Sequence, residues 1–175
     1  MNKVQGERSI EEMVCIVDGQ DNLLDTVHRS EMRDQGLLHR VTYLLVFNSD
    51  GELLVQTRTA EKDWYPGRLD LAAGGVMIQG EDYVLSAQRE LKEELGIDNH
   101  LEYAFKVYFE DNQIKRSTRS WGSVYCTICD GPFNLQPEEV AKVEFMSLKE
   151  VQLLPKDKIT PDTYLVFKAY LMSRK

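Results

Sequence analysis

Cysteine, proline and histidine are scarce in this chain of 175 residues, at three, five and three. Three cysteines cannot all pair with one another, which excludes a disulfide framework as the source of stability. Cys15, Cys126 and Cys129 are therefore expected to be buried thiols. The last two form a C-x-x-C, but within SVYCTIC, an alternating run that reads as a strand. Residues three apart on a strand point to opposite faces, so these two cannot pinch one zinc, and no second pair exists to complete such a site. Long apolar runs are missing as well. None approaches the ~20 residues of a membrane-crossing helix, and the opening MNKVQGERSIEE lacks the apolar segment of a secretory signal. A cytoplasmic protein without membrane contact is expected. Positive charge is also short: 21 Lys and Arg stand against 29 Asp and Glu, a net of −8. That argues against broad binding of nucleic acid, which needs a basic footprint. An anionic small molecule remains admissible if a metal supplies the positive charge.

What is present suits one domain with its own core, since 42% of the residues are hydrophobic. MVCIVDGQDNLLDTV reads as strand, turn, strand. SEMRDQG reads as a short helix with Ser30 as N-cap and Gly36 just past its end. RVTYLLVFNSDGELLVQTR is a hairpin turning at Asp50-Gly51. A loop, TAEKDWYPGRLD, leads to the glycine-bearing LDLAAGGVM. A long helix is predicted from Asp82 to Leu95, stopped by Gly96, with Val84, Ala87, Leu91 and Leu95 as its apolar stripe. LEYAFKVYFE and SWGSVYCTIC read as strands, and GPFNLQPEEVAKVEFMSLKEV as loop, strand and short helix. TPDTYLVFKAYLMS is a final helix with Thr160 as N-cap and Pro161 at its first position. Strands arriving in hairpins, not in β-α-β repeats, favour an α+β protein: a mixed or antiparallel sheet covered by helices.

The stretch RELKEELG carries the chemistry. Glu90, Glu93 and Glu94 fall within about one turn of the long helix, where like charges at these spacings repel by ~0.2–0.5 kcal/mol per pair. They cluster on a flank of the apolar stripe, so they can line a cleft while the stripe anchors the helix. Either they form a solvated face, or a cation belongs among them. Hard divalent cations favour such carboxylate oxygens.

Extended upstream, GVMIQGEDYVLSAQRELKEELGI places Gly75, Glu81, Arg89, Glu90, Glu93, Glu94 and Gly96 in one register. It resembles the Nudix box, G-x5-E-x7-R-E-U-x-E-E-x-G-U with U apolar, at every fixed position from Gly75 to Ile97. The resemblance implies a Nudix fold, a mixed β-sheet sandwiched between helices, here with an N-terminal β-hairpin extension. As a single domain over 1–175, it would comprise an extension of hairpin and short helix (1–36), a core (37–155) and a C-terminal helix (156–175). It implies a hydrolase that splits the phosphoanhydride of a nucleoside diphosphate linked to a moiety X, with Mg²⁺ or Mn²⁺ neutralising charge and activating water. Carried over by position, the metal-binding groups are Glu90, Glu93, Glu94 and the backbone carbonyl of Gly75. Glu90 is also the first choice to activate the water. Arg89 is expected to hold Glu90 or Glu81 by charge-assisted bonds, with Glu81 and Gly96 as structural support. A further acid from the downstream loop is expected, Glu139 or else Glu138. The implied partner is a small-molecule phosphoanhydride, with the chain a monomer or homodimer. Arg58, Arg68 and Arg119, with Lys115 and Arg116, are candidate phosphate contacts. Trp64, with Tyr65, Phe109 and Trp121, is a candidate for stacking on a base.

From about Val14 to Val151 the layout further resembles the Nudix subgroup that includes isopentenyl diphosphate isomerases. Three departures speak against isomerisation. Gly74 stands where those isomerases carry a catalytic cysteine, and Val76 where they place a histidine. Between Asn112 and Cys129 the chain also has no acidic residue, where they draw on acids. His39 matches an isomerase metal histidine, but alone it reads as a hydrogen-bonded structural residue. A non-catalytic nucleotide-binding module on the same scaffold is the other alternative, and the intact box argues against it.

Overall fold

The structure, a computed structural model, describes residues 12–112 and 118–174. Lys115 and Arg116 lie outside the described residues. In chain order the elements are β1 (Met13–Val17), β2 (Leu23–His28), α1 (Arg29–Gln35), β3 (Leu38–Phe47), β4 (Leu53–Arg58), β5 (Leu69–Asp70), α2 (Tyr83–Leu95), β6 (Glu102–Asp111), β7 (Thr118–Ile128), β8 (Val140–Met146), α3 (Leu148–Leu153) and α4 (Pro161–Ser173). No helix among the described residues is long and apolar enough to cross a membrane.

β3 is the spine. Its run TYLLVF is buried on both faces, as a strand between two layers must be. One edge pairs in parallel with β7, from Leu38–Arg119 to Phe47–Ile128. The opposite edge is shared. β1 meets it at Ile16–His39, the stretch around Ala73–Met77 runs antiparallel beside Arg40–Leu44, and β4 joins at Phe47–Leu53. β8 lies on β4, and β6 on β7, both antiparallel. The sheet is thus mixed, as expected.

Alternation along β3 builds two cores. Val41, Tyr43, Leu45 and Phe47 pack with Val166, Phe167 and Tyr170 of α4. Leu44 and Val46 pack with Ala87, Leu91 and Leu95 of α2. The helices therefore cover opposite faces of the spine. Cys126 borders the first core and Cys129 the second, so the two thiols are in different layers. Both are half-buried, where burial was expected; only Cys15 is fully covered. They sit at the end of β7 beside exposed Ile128.

Two helix details differ from the sequence reading. α1 begins a residue before Ser30, with His28 in the capping position and no side-chain cap; Gly36 does close it in the left-handed conformation. Val84 is 44% exposed, so the stripe of α2 starts at Ala87. α2 opens where Asp82 accepts the N–H of Leu85 (2.8 Å). In its first turn Tyr83 packs against the second core and Ser86 is buried, while Val84 and Leu85 face solvent.

The N-terminal hairpin is tied down at its turn. Asp21 accepts from Arg40 Nε (2.8 Å) and Tyr83 Oη (3.0 Å), and also from Lys106 Nζ. One carboxylate thereby joins β1–β2 to β3, α2 and β6. Charge-assisted bonds of this kind are the stronger ones.

Candidate active site

The ladder beside β3 sets the entrance. Thr42 N–H donates to Gly75 O (2.9 Å), Leu44 N–H to Ala73 O (2.8 Å) and Met77 N–H to Arg40 O (3.0 Å). Gly74 sits between these rungs at φ +134°, and a Cβ there would lie 2.0 Å from Thr42 O. At Gly75 a Cβ would lie 2.5 Å from Glu90 Oε1. Both glycines are therefore required, for different reasons: Gly74 by the backbone opposite, Gly75 by the carboxylate above it.

α2 delivers the acids. Arg89 is the hub. Its Nε donates to Glu81 Oε1 (2.6 Å), its Nη1 to Glu90 Oε1 (2.7 Å) and Glu93 Oε2 (3.2 Å), and its Nη2 to Val76 O (3.2 Å). Glu81 also accepts the N–H of Ile78 (3.2 Å), which ties the loop before α2 to the same hub. The three box glutamates differ in surroundings. Glu94 is only 7% exposed. Its Oε2 accepts long bonds, from Gln56 Nε2 (3.4 Å) and Gly74 N–H (3.3 Å). The Glu93 side chain is 53% exposed and turns toward Arg89 at the rim. Glu90 lies over Gly75 with Arg89 on one oxygen.

Burial dominates the electrostatics. It pushes the Glu90 carboxyl up to about 7, against the pull of Arg89. It raises Glu94 well above the usual carboxylate range, and the charge of Glu90 adds to this. Glu90 shares the Arg89 guanidinium with Glu81 and Glu93, and Glu94 accepts only long bonds from neutral groups among the described residues, an arrangement that a bound cation would relieve.

The loop after β7 closes the far side. Asn134 N–H donates to Leu95 O (2.9 Å) and Gln136 N–H to Glu94 O (3.0 Å), capping α2 beyond Gly96, which is left-handed at φ +69°. That loop brings Glu139 within the electrostatic reach of Glu94, while Lys62 forms an ion pair with Glu139. Glu138 offers its carbonyl to Thr59 Oγ1 (2.8 Å).

The donor set suits a hard divalent cation: carboxylate oxygens of Glu90 and Glu94, with Glu139 and the Gly75 carbonyl nearby. Among the described residues no three acidic, histidine or cysteine side chains already converge as a finished cage. Glu93 is turned to Arg89, Glu139 is held by Lys62, and Gly75 O accepts from Thr42. The fit is in the uncompensated charge and the oxygen chemistry.

The candidate substrate contacts separate. Arg58 is spent on Trp64 O (2.7 Å) and Asp70 Oδ2 (2.7 Å), and Arg119 on Gly36 O (3.1 Å). Arg68 lies over the Tyr65 ring, 4.8 Å from its centroid. Trp64 is half-buried in the same loop. Phe109 is half-buried on β6, and Trp121 meets Tyr108 edge-on, with centroids 5.4 Å apart. His39 is buried, with Nδ1 2.9 Å from Leu37 O, and burial lowers it to about 4. Sequence reasoning missed Gln56 and Lys62 beside the carboxylates. It also missed Asp70, which joins Arg58 to Thr160 Oγ1 (2.5 Å). That bond uses the Thr160 hydroxyl, so Thr160 occupies the N-cap position of α4 without capping through its side chain.

Glu90 and His39 oppose each other in pH. A carboxyl raised in the folded state contributes stability below its unfolded value, and loses it as pH rises through the folded value. For Glu90 the window runs from 4.5 to about 7. His39, lowered from 6.5 to about 4, contributes stability above 6.5 that is lost as pH falls to about 4. In metal-free protein, Glu90→Gln should remove the first term and leave the second. Urea midpoints across pH 4–8 are expected to show the variant gaining stability relative to wild type as pH rises. The gain should reach about 2–3 kcal/mol by pH 7. A pH-independent difference would show that Glu90 is not a strained acid.

Comparisons with known proteins place the chain in a family. A sequence profile of the NUDIX domain matches residues 37–167. An uncharacterized Nudix hydrolase of Yersinia pestis is 41% identical over 169 residues, covering 95% of this chain and 90% of its own. Among solved structures, DR0079 from Deinococcus radiodurans has a TM-score of 0.76 at 21% identity, covering 90% of this chain and 98% of that one. The NUDIX domain of Shewanella oneidensis NrtR, complexed with ADP ribose, has a TM-score of 0.61 at 16% identity, covering 79% of this chain and 88% of that one. A glycine-opened ladder, a buried pair of glutamates on one helix and a profile spanning most of the chain lead to one assignment: the protein belongs to the Nudix hydrolase family and is a pyrophosphohydrolase.

Proposed function

We propose that this protein hydrolyses a phosphoanhydride in a nucleoside diphosphate linked to X, or in a nucleoside di- or triphosphate, with Mg²⁺ or Mn²⁺ as cofactor. The observation that carries this reading is the pair of closely set carboxylates against Gly74–Gly75: Glu90, which shares Arg89 with two other glutamates, and buried Glu94, which accepts only from neutral donors among the described residues. Glu90, Glu94, Glu139 and the Gly75 carbonyl would hold the cation, with Glu93 at the rim. When bound, it supplies Lewis acidity toward phosphoryl oxygens and lowers the pKa of water.

The protein's own groups do the rest. Arg89 pins Glu90 through Oε1, which leaves Oε2 to take a proton from the attacking water. The water oxygen bonds to phosphorus, the bridging P–O bond breaks, and the departing phosphate carries away the electron pair. Glu81 orients Arg89, so it acts through position.

Isomerisation is disfavoured by backbone geometry. At φ +134° and against Thr42 O, position 74 has no room for the cysteine that such chemistry places there. ADP ribose is the ligand of the Shewanella domain, and makes nucleoside diphosphate sugars a reasonable first set to try. The test is a panel of nucleotide sugars, dinucleotides, nucleoside di- and triphosphates and coenzymes, with Mg²⁺ and product identification. Release of a nucleoside monophosphate from at least one member is expected, abolished by chelation. Metal-dependent binding without turnover across the panel would favour the binding-module alternative, and conversion of isopentenyl diphosphate would favour the isomerase.

A further inference from the structure

The hydrolase reading leaves a charge problem. A diphosphate must approach Glu90, Glu93, Glu94 and Glu139, which are all acidic, and among the described residues the arginines expected from the sequence to meet it are engaged elsewhere. Arg89 is consumed by Glu81, Glu90, Glu93 and Val76 O. Arg58 is held by Trp64 O and Asp70, Arg119 by Gly36 O, and Arg68 rests on Tyr65.

Lys62 is differently placed. Its ammonium pairs with Glu139 and acts on Glu94 with the sign opposite to that of Glu139, so it lies within the field of the buried acids. Its loop is stitched down on both sides. Thr59 N–H donates to Glu139 O (3.2 Å), Thr59 Oγ1 to Glu138 O (2.8 Å), and Gly67 N–H back to Thr59 O (3.2 Å). The backbone is held and the ammonium's partner is Glu139, and a Lys ammonium binds phosphate as a point charge on a flexible stem.

We propose that Lys62 is a phosphate-contacting residue of this site, paired with Glu139 in the free protein and released to a substrate phosphate when Glu139 turns to a bound divalent cation. The inference rests on the hydrolase reading and adds to it an exchange of partners. Lys62 competes with the cation for Glu139, yet assists the anion that follows. Metal affinity and phosphate affinity should then respond to its loss with opposite signs. A structural ion pair that never leaves Glu139 would leave the diphosphonate affinity at saturating Mn²⁺ unchanged.

The experiment uses the full chain and two probes that require no knowledge of X. Calorimetry measures Mn²⁺ alone, and then methylenediphosphonate, a non-hydrolysable diphosphate, at saturating Mn²⁺. Lys62→Met is expected to tighten Mn²⁺ roughly threefold or more and to weaken the diphosphonate roughly tenfold. Lys62→Arg should recover most of the diphosphonate affinity, showing that charge at this position, not the fold of the loop, is responsible. If wild type binds Mn²⁺ and Lys62→Met leaves both affinities unchanged, or weakens Mn²⁺, the role of Lys62 is overturned while the metal site stands. If wild type binds no Mn²⁺, the hydrolase reading fails, and the exchange fails with it.

Discussion

Glu94→Gln is expected to cut turnover by ~100-fold or more while raising the thermal midpoint of the metal-free protein. Both effects have one origin. Glu94 is buried, its two hydrogen bonds are long, and burial and Glu90 both oppose its charge. Glutamine keeps the shape and removes the charge, so the empty site relaxes. A gain of about 1–2 kcal/mol corresponds to ~2–8 °C for a chain of this size. The same charge is what a divalent cation binds, and losing ~3 kcal/mol of transition-state stabilisation costs about two orders of magnitude in rate. Differential scanning fluorimetry with and without Mg²⁺, beside steady-state kinetics on a substrate from the panel, reads both. The Mg²⁺-induced rise in midpoint should shrink in the variant. A variant as active as wild type would remove Glu94 from the site.

Gly74→Ala should be the most damaging small substitution in the chain. The added Cβ would lie 2.0 Å from Thr42 O, 2.9 Å from Thr42 C and 3.2 Å from Tyr43 Cα. These are backbone atoms of the central strand, and they cannot swing aside. The positive φ adds strain of its own. Together these predict a loss of about 3–5 kcal/mol, a large fraction of the stability of an ordinary domain. Gly75→Ala provides the contrast. Its Cβ meets the Glu90 carboxylate, a side chain that can yield, so activity should fall far more than stability. Gly80→Ala is the control, with φ +89° and nothing within 4 Å. It should cost about 1 kcal/mol through conformation alone. Urea denaturation of the three variants tests the order. Gly74→Ala within 1 kcal/mol of wild type would mean that the ladder beside β3 is not as tight as drawn.

Local signals were legible wherever one residue's chemistry decides the outcome. Asp50-Gly51 marks the turn before β4, Gly36 and Gly96 end their helices in the left-handed conformation, and Pro161 opens α4. Arg89 beside Glu81 and Glu90 was implied by the resemblance to the Nudix box; helical spacing alone accounts only for its i,i+4 contact with Glu93. Errors arose where a neighbour remote in sequence intervenes. Val84 fits an apolar stripe by spacing, but in the fold it faces solvent with Leu85, while Tyr83 and Ser86 take the covered side of that turn. Arg58 and Arg119 look like free cations in a string of letters; in the fold, carbonyls of Trp64 and Gly36 claim them. Thr160 resembles a cap, and Asp70 takes its hydroxyl.

The sequence by itself determined the family, the helix that carries the glutamates and the register of Gly75 to Gly96, because periodicity and backbone conformation are properties of adjacent residues. It could not rank the three glutamates. Only the packing of α2 on β3 buries Glu94, covers most of the Glu90 side chain and leaves Glu93 at the rim, and only the meeting of two distant loops sets Lys62 against Glu139. Burial and charge proximity depend on what other segments place alongside. That is why the strained acids, and the cation poised among them, emerge from the tertiary structure alone.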